Sequence, residues 1–386
     1  MDGNVRRIAE RYEVLAADRW PRVRDFYAGK RDFLLYTWPP SRAWGDIRTP
    51  EQAFEANMAA VEAALDVEMD ALPYLEPWHG VGIYACSFGC VNQWSDNEAS
   101  YTRVAFQHIR DALEFKPLRP ADNEMMRLVM DSIRYFKSKT GSAVPIVLTD
   151  TQTANDTATL VVDASNFMVE CVMEPENAHR LLRAINAAII EFSHVQADAI
   201  GDALATPGHI IASAPGVGGI SVSDDNQSFC SADFNRQFTN PYNDELGREF
   251  GGVAVHSCGN WEHAMTPLTE MEHVMLADCA AHPNCDPCPN DPGAIADALQ
   301  GSGVAVQMRC PGTREAIDEI IDAAARPGLR LVIKFGWTGS AQSASELYHY
   351  ATERLERAHA REPATCAKEH CPMDQAAVEK AERADG

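Results

Sequence analysis

The sequence has no apolar run approaching the roughly 18–20 residues that a membrane span requires. Its greasiest helical stretch, Leu181 to Ile190, is interrupted by Arg183 and Asn186. The N-terminus, Met1-Asp2-Gly3-Asn4-Val5-Arg6-Arg7, leads into a charged helix without an apolar signal core. Basic residues are scarce: 33 Lys and Arg stand against 56 Asp and Glu, for a net charge of −23. That balance repels phosphates, so nucleic acid and anionic membrane are excluded as expected partners. No G-x-S-x-G elbow and no P-loop occur, which leaves acyl and nucleotide chemistry of those kinds without local support. The Gly-rich stretch Pro215-Gly216-Val217-Gly218-Gly219 precedes a strand candidate instead of joining a strand to a helix, so it reads as turns. The 11 cysteines, an odd count without a secretion signal, predict reduced thiols and a cytoplasmic protein.

What is present is a chain of 386 residues, 46% hydrophobic, long enough to bury a large core. Strand candidates begin near residues 33, 81, 145, 220, 252, 273, 304 and 331, with helical patterns between them. From residue 220 onward the alternation recurs every ~20–30 residues, the rhythm of parallel βα units. Eight units predict a (β/α)8 TIM barrel with an N-terminal helical extension; a doubly wound open sheet is the alternative. The first helix is expected over Asn4 to Lys30 with a break or kink at Pro21. Thr157 to Cys171 reads as one helix, and Ser231 to Phe250 as another with Ser at its cap. Residues 1–360 are expected to form one domain, with the N-terminal helices in about 1–75 and a polar tail over 361–386.

In a (β/α)8 barrel the reactive groups sit after the C-terminal ends of the strands. The stretch Val253-Ala254-Val255-His256-Ser257-Cys258-Gly259-Asn260 is a buried strand ending in a turn. His256 and Cys258 are two apart, so on extended backbone both side chains share a face. Imidazole and thiolate are ligands that zinc prefers. The competing reading is a buried His beside an inert core Cys. Cys310, with Cys279 as its competitor, lies at a neighbouring strand end and is the expected third ligand. Asp225, also at a strand end, is a candidate for proton transfer or substrate orientation, against a plain helix-capping role for Asp224-Asp225. Asn260 joins it as a candidate orienting residue; Tyr84, Lys334 and Trp337 are candidate walls of a substrate pocket. Cys285-Asp286-Pro287-Cys288 has knuckle spacing but no second C-x2-C pair. Cys86 and Cys90 read as packing residues, and Cys366, His370 and Cys371 fall in the polar tail.

These residues resemble the uroporphyrinogen decarboxylase-like superfamily, and within it the corrinoid-dependent (methylcobamide) methyltransferase branch. The resemblance rests on Val255-His256-Ser257-Cys258-Gly259-Asn260, supported by Met168 to Ala199, Ile220 to Asn226, Val306 to Gly312 and Ile333 to Gly339. It implies a (β/α)8 barrel, Zn2+ held by His256, Cys258 and a later Cys, and methyl transfer between a small molecule and a corrinoid such as methylcobalamin carried by a partner protein. One departure is visible. The later Cys is expected near the last strand, where this chain has Phe335-Gly336-Trp337, so either Cys310 or Cys279 takes its place or the metal site is incomplete. The Arg-rich signature and Asp of the decarboxylase branch find only Arg42 and Asp46 here, which disfavours tetrapyrrole decarboxylation. The alternatives are a metal-free decarboxylase or lyase working through Asp225, and a binding protein that keeps the barrel as a scaffold.

Overall fold

Strand β1 (Phe33–Tyr36) pairs in parallel with the last strand of the chain, β8 (Leu331–Phe335), so the two ends of the sequence meet at once. The structure, a computed structural model, describes residues 3–39, 47–95 and 99–360. The remaining strands are β2 (Val91–Gln93), β3 (Tyr101–Arg103), β4 (Ile220–Ser223), β5 (Val253–His256), β6 (Val274–Ala280) and β7 (Ala305–Cys310). β2 and β3 form a separate antiparallel hairpin, while the other six make one parallel sheet ordered β1-β8-β7-β6-β5-β4.

Two irregular segments close the sheet into a ring. Asp70 N donates to Leu35 O at 2.8 Å, and Leu75 bridges Ile146 in parallel. Ser223 N donates to Thr151 O at 2.9 Å, which joins the second segment to β4. The result is the expected (β/α)8 barrel, with helices outside it. The second barrel position differs from the expectation. Residues 81–85 are not a strand; Ala85–Phe88 is a 3-10 turn, and the position belongs to the segment around Leu75. Pro73 and Pro77 bracket Leu75 and remove ladder donors, so the strand pattern there is broken although the pairing survives.

Three helices also differ from their sequence patterns. The first, Gly3–Tyr27, runs through Pro21 without ending. Asp163 accepts from Asn166 N and starts a new helix, so the expected single helix is two, Ala154–Val161 and Ala164–Met173. Ser231 does cap its helix, accepting from Phe234 N, but a π-turn over Asn235–Thr239 separates that first turn from Asn240–Phe250. Arg42 and Asp46, and the tail cysteines with His370, lie outside the described residues. Among the described residues no helix is long and apolar enough to cross a membrane.

A loop enters the barrel. The carbonyl of Ile210 accepts from Tyr36 Oη (2.9 Å), Gln307 Nε2 (3.1 Å) and Lys334 Nζ (3.1 Å). Ile210 has φ of 51°, a left-handed value that costs a β-branched residue about 1–3 kcal/mol. Donors from β1, β7 and β8 hold it there.

Asp70 ties the barrel to its outer helices. This fully buried carboxylate accepts from Leu35 N (2.8 Å), Arg31 (3.0 Å), Arg22 (3.3 Å) and Tyr348 (3.0 Å). Asp70→Ala leaves two arginines facing a buried gap and is expected to lower stability by about 3–5 kcal/mol. A fall in the urea midpoint equivalent to less than about 1 kcal/mol contradicts that role.

Candidate metal centre

The alternation of side chains along the strands sets the site. His256 ends β5 and faces Asp278 of β6 in register. Asp278 Oδ2 accepts from His256 Nδ1 at 2.6 Å, and its Oδ1 accepts from Gln307 Nε2 at 2.6 Å. The Arg309 guanidinium lies 3.0 Å away. Burial opposes the charge on Asp278, but Arg309 and the His256 hydrogen bond outweigh it and hold the carboxyl well below the usual range. With Nδ1 engaged by Asp278, Nε2 is the nitrogen that His256 turns to the rest of the mouth.

That nitrogen faces two further donor atoms. Cys258 Sγ is 3.5 Å away and Asp225 Oδ1 is 3.8 Å away. One ligand atom each from Asp225, His256 and Cys258 lie within 4.8 Å of one another. A tetrahedral zinc with bonds of about 2.0–2.3 Å has edges of about 3.3–3.8 Å, so the two measured separations are of the size such an ion spans. The donor set of imidazole, thiol and carboxylate also suits zinc, and it leaves a fourth position for a reactant. Partial burial and the nearby Asp225 carboxylate push the Cys258 thiol up to about 12 in the metal-free chain. A cation reverses that preference, because thiolate binding to it outweighs the repulsion.

The loop geometry brings Asp225 to this place. Asp224 N donates to His256 O at 2.8 Å and splices the ends of β4 and β5. The buried Asp156 accepts from the backbone N–H of Asp225 (2.7 Å) and Asn226 (2.9 Å). Burial and repulsion from Asp224 and Asp225 raise Asp156 well above an ordinary carboxylate. Asp225 Oδ1 in turn accepts from Cys258 N at 2.7 Å. Gly259 follows with φ of 73°, the left-handed turn that lets the chain leave the strand, and its N–H donates to Asp286 at 2.8 Å.

The expected third ligands are not brought in. Asp278, Gln307 and Arg309 point into the barrel, so Cys279 and Cys310, each one residue further, point to the helix layer. Both are buried, and burial pushes both thiols up. The third group of the cluster is Asp225, from the loop after β4. The amide of Asn260 is spent on the loops after β5 and β6, donating to Glu262 (2.8 Å) and Pro289 O (3.1 Å). Tyr84 is fully buried against Phe192 and offers no face to a substrate. Lys334 does line a cavity, with Trp38, Tyr74 and Glu76, and Trp337 is partly buried on the loop after β8. Cys285 and Cys288 sit on a loop after β6, and Cys86 and Cys90 are buried.

Three residues went unassigned in the sequence reading. Asp278 has one usable signal, its place at the end of a strand pattern; its register opposite His256 is set by the sheet. Glu76 and His209 had none. His209 lies in the inserted loop, with Nδ1 2.6 Å from Glu76 and Nε2 3.7 Å from Asp150. Burial disfavours its charge, but Asp150 and Glu76 outweigh burial and raise it to about 9.

The fold and this mouth define a parallel barrel enzyme class with a polar centre on its C-terminal rim. A family model described as uroporphyrinogen decarboxylase (URO-D) matches residues 47–307, and the chain belongs to that family. No curated protein matches the sequence. Among solved structures, a methyltransferase from Methanosarcina mazei aligns with a TM-score of 0.60 at 14% identity, covering 88% of this chain and 99% of its own. That likeness concerns the fold. A GH18 chitinase from Pseudoalteromonas aurantia, at a TM-score of 0.30 and 9% identity over 72% of this chain and 98% of its own, overlaps too loosely to bear on it.

Two expectations follow from this chemistry. Asp278→Asn removes the charged acceptor that orients His256, and zinc affinity should fall about 10–100-fold in a chelator competition. An unchanged affinity removes Asp278 from the site. Separately, the His209 value is raised on folding, so its stabilising contribution is complete below about pH 6.5 and is lost as pH rises through about 9. Denaturation midpoints should fall between those pH values by up to about 3 kcal/mol, and His209→Gln should flatten that change.

Proposed function

We propose that the protein is a zinc-dependent methyltransferase that moves a methyl group between a corrinoid carried by a partner protein and a small molecule with a thiol or other heteroatom. The observation that carries this reading is the Asp225–His256–Cys258 cluster, with its ligand atoms within 4.8 Å of one another at the barrel mouth. Family membership and the fold likeness to a methyltransferase support it. A bound zinc supplies Lewis acidity, favouring the deprotonated form of a heteroatom acceptor or polarising a methyl donor.

The chain's own residues do the positioning. His256 and Cys258 hold the metal from the end of β5, and Asp225 completes the set from the loop after β4. Asp278 keeps the proton on His256 Nδ1 so that Nε2 is the ligand atom. Asp156 holds the backbone of Asp225, and through it the carboxylate. Arg309 offsets the charge that Asp278 places beside the site. The acidic composition favours a partner with a basic docking face.

Purified protein should contain about one equivalent of zinc, and Cys258→Ala and His256→Ala should each retain less than half of it. With methylcobalamin and candidate thiols, the cobalamin absorbance should change with wild-type protein and at least 100-fold more slowly with either variant. Wild-type protein that takes up no zinc sinks the proposal. A second reading, a metal-free decarboxylase or lyase, is favoured by the half-exposed Asp225 carboxylate beside His256 and by the family's decarboxylase members. It requires that Asp225→Asn abolish turnover while Cys258→Ala leaves it intact.

A further inference from the structure

We propose that the cavity beside β1 and β8 is a binding site for a small aromatic carboxylate, of the size of benzoate. The cavity has a volume of about 170 Å³ and is walled mainly by Trp38, Tyr74, Trp78 and Ile210. An apolar cavity of about 150 Å³ accommodates a single benzene ring, so one ring with a short substituent matches the space. Trp38 and Tyr74 meet edge to face at 4.9 Å, an arrangement that presents flat ring surface to a planar guest.

The polar groups lining this cavity are donors with capacity to spare. Lys334 Nζ makes no ion pair among the described residues; it donates to Ile210 O at 3.1 Å and lies 4.3 Å over the Trp38 ring. An ammonium has three N–H bonds, so two remain for a guest. The indole N–H of Trp38 is buried without a partner among the described residues. A buried donor left unpaired costs about 1–3 kcal/mol, which an acceptor on the ligand recovers. Glu76, the acid in the lining, is already engaged by His209 at 2.6 Å. Asp150 accepts from Ser223 Oγ at 2.8 Å and Gln152 Nε2 at 3.1 Å. Each acid therefore has a protein donor, while among the described residues Lys334 and Trp38 keep N–H groups without an acceptor. A carboxylate meets both, and a flat apolar body meets the walls.

Binding stands on the cavity alone; only the ligand's part as methyl donor or acceptor rests on the methyl-transfer reading. The test titrates the full-length protein with benzoate, benzamide and acetate, following tryptophan fluorescence and binding heat. Benzoate should bind saturably, and benzamide and acetate at least tenfold more weakly. Lys334→Gln should weaken benzoate at least tenfold, and Trp38→Phe, which keeps the ring and removes the N–H, severalfold. Cys258→Ala should bind benzoate as wild type does. The proposal is overturned by an absence of saturable benzoate binding to wild type, by equal binding of benzamide, or by loss in Cys258→Ala with Lys334→Gln unaffected. The ligand series on wild type decides the matter even if a variant fails to fold. Wild-type protein that binds benzoate but takes up no zinc removes the methyl-transfer reading and leaves this one standing.

Discussion

The buried carboxylate of Asp278 is the interaction on which the mouth of the barrel depends. It is fully enclosed, so its charge survives only because two donors, His256 from β5 and Gln307 from β7, converge on it beside the Arg309 guanidinium of β7. Each donor carries a further contact. His256 turns Nε2 to Cys258 and Asp225. Gln307 donates also to Ile210 O and accepts from Tyr36 Oη at 2.6 Å. One anion therefore links the Asp225–His256–Cys258 half of the mouth to the inserted loop and to β1. An uncharged residue there leaves an arginine buried without its partner and an imidazole free to rotate.

The mouth divides by strand order. β4 and β5 present donors suited to a cation, while β8 and β1 present Lys334 and the Trp38 indole, suited to an anion. The inserted loop stands between them, with His209 neutralising Glu76 on one side of its tip and the Ile210 carbonyl collecting three donors on the other. The left-handed backbone of Ile210 is sustained by these contacts, so the loop and the two halves of the mouth are coupled through it.

Much of the barrel was legible because helical and parallel-strand periodicities survive in the letters from residue 220 onward. Where they failed, chemistry explains it. Prolines around Leu75 hide a strand whose pairing is reduced to a bridge. In the site, the His256–Cys258 pair was legible because two residues apart on a strand is one face. The same rule, applied to β6 and β7, places Cys279 and Cys310 on the outer face once Asp278 and Arg309 are known to point inward. Parity along a strand is readable in a sequence, but its absolute sense is not until a contact across the barrel determines it.

The sequence by itself determined the repeating βα rhythm, the His256–Cys258 pair at the end of β5, the acidic composition and the resemblance to a family of barrels. These are local quantities, set by spacing and composition. Only the tertiary structure decided that Asp225 joins His256 and Cys258, that Asp278 stands behind the histidine, and that Tyr84 belongs to the core. It alone placed His209 against Glu76, 133 residues away. Such contacts form because ring closure brings distant strand ends within a few ångströms, and no local pattern of residues records which of them will meet.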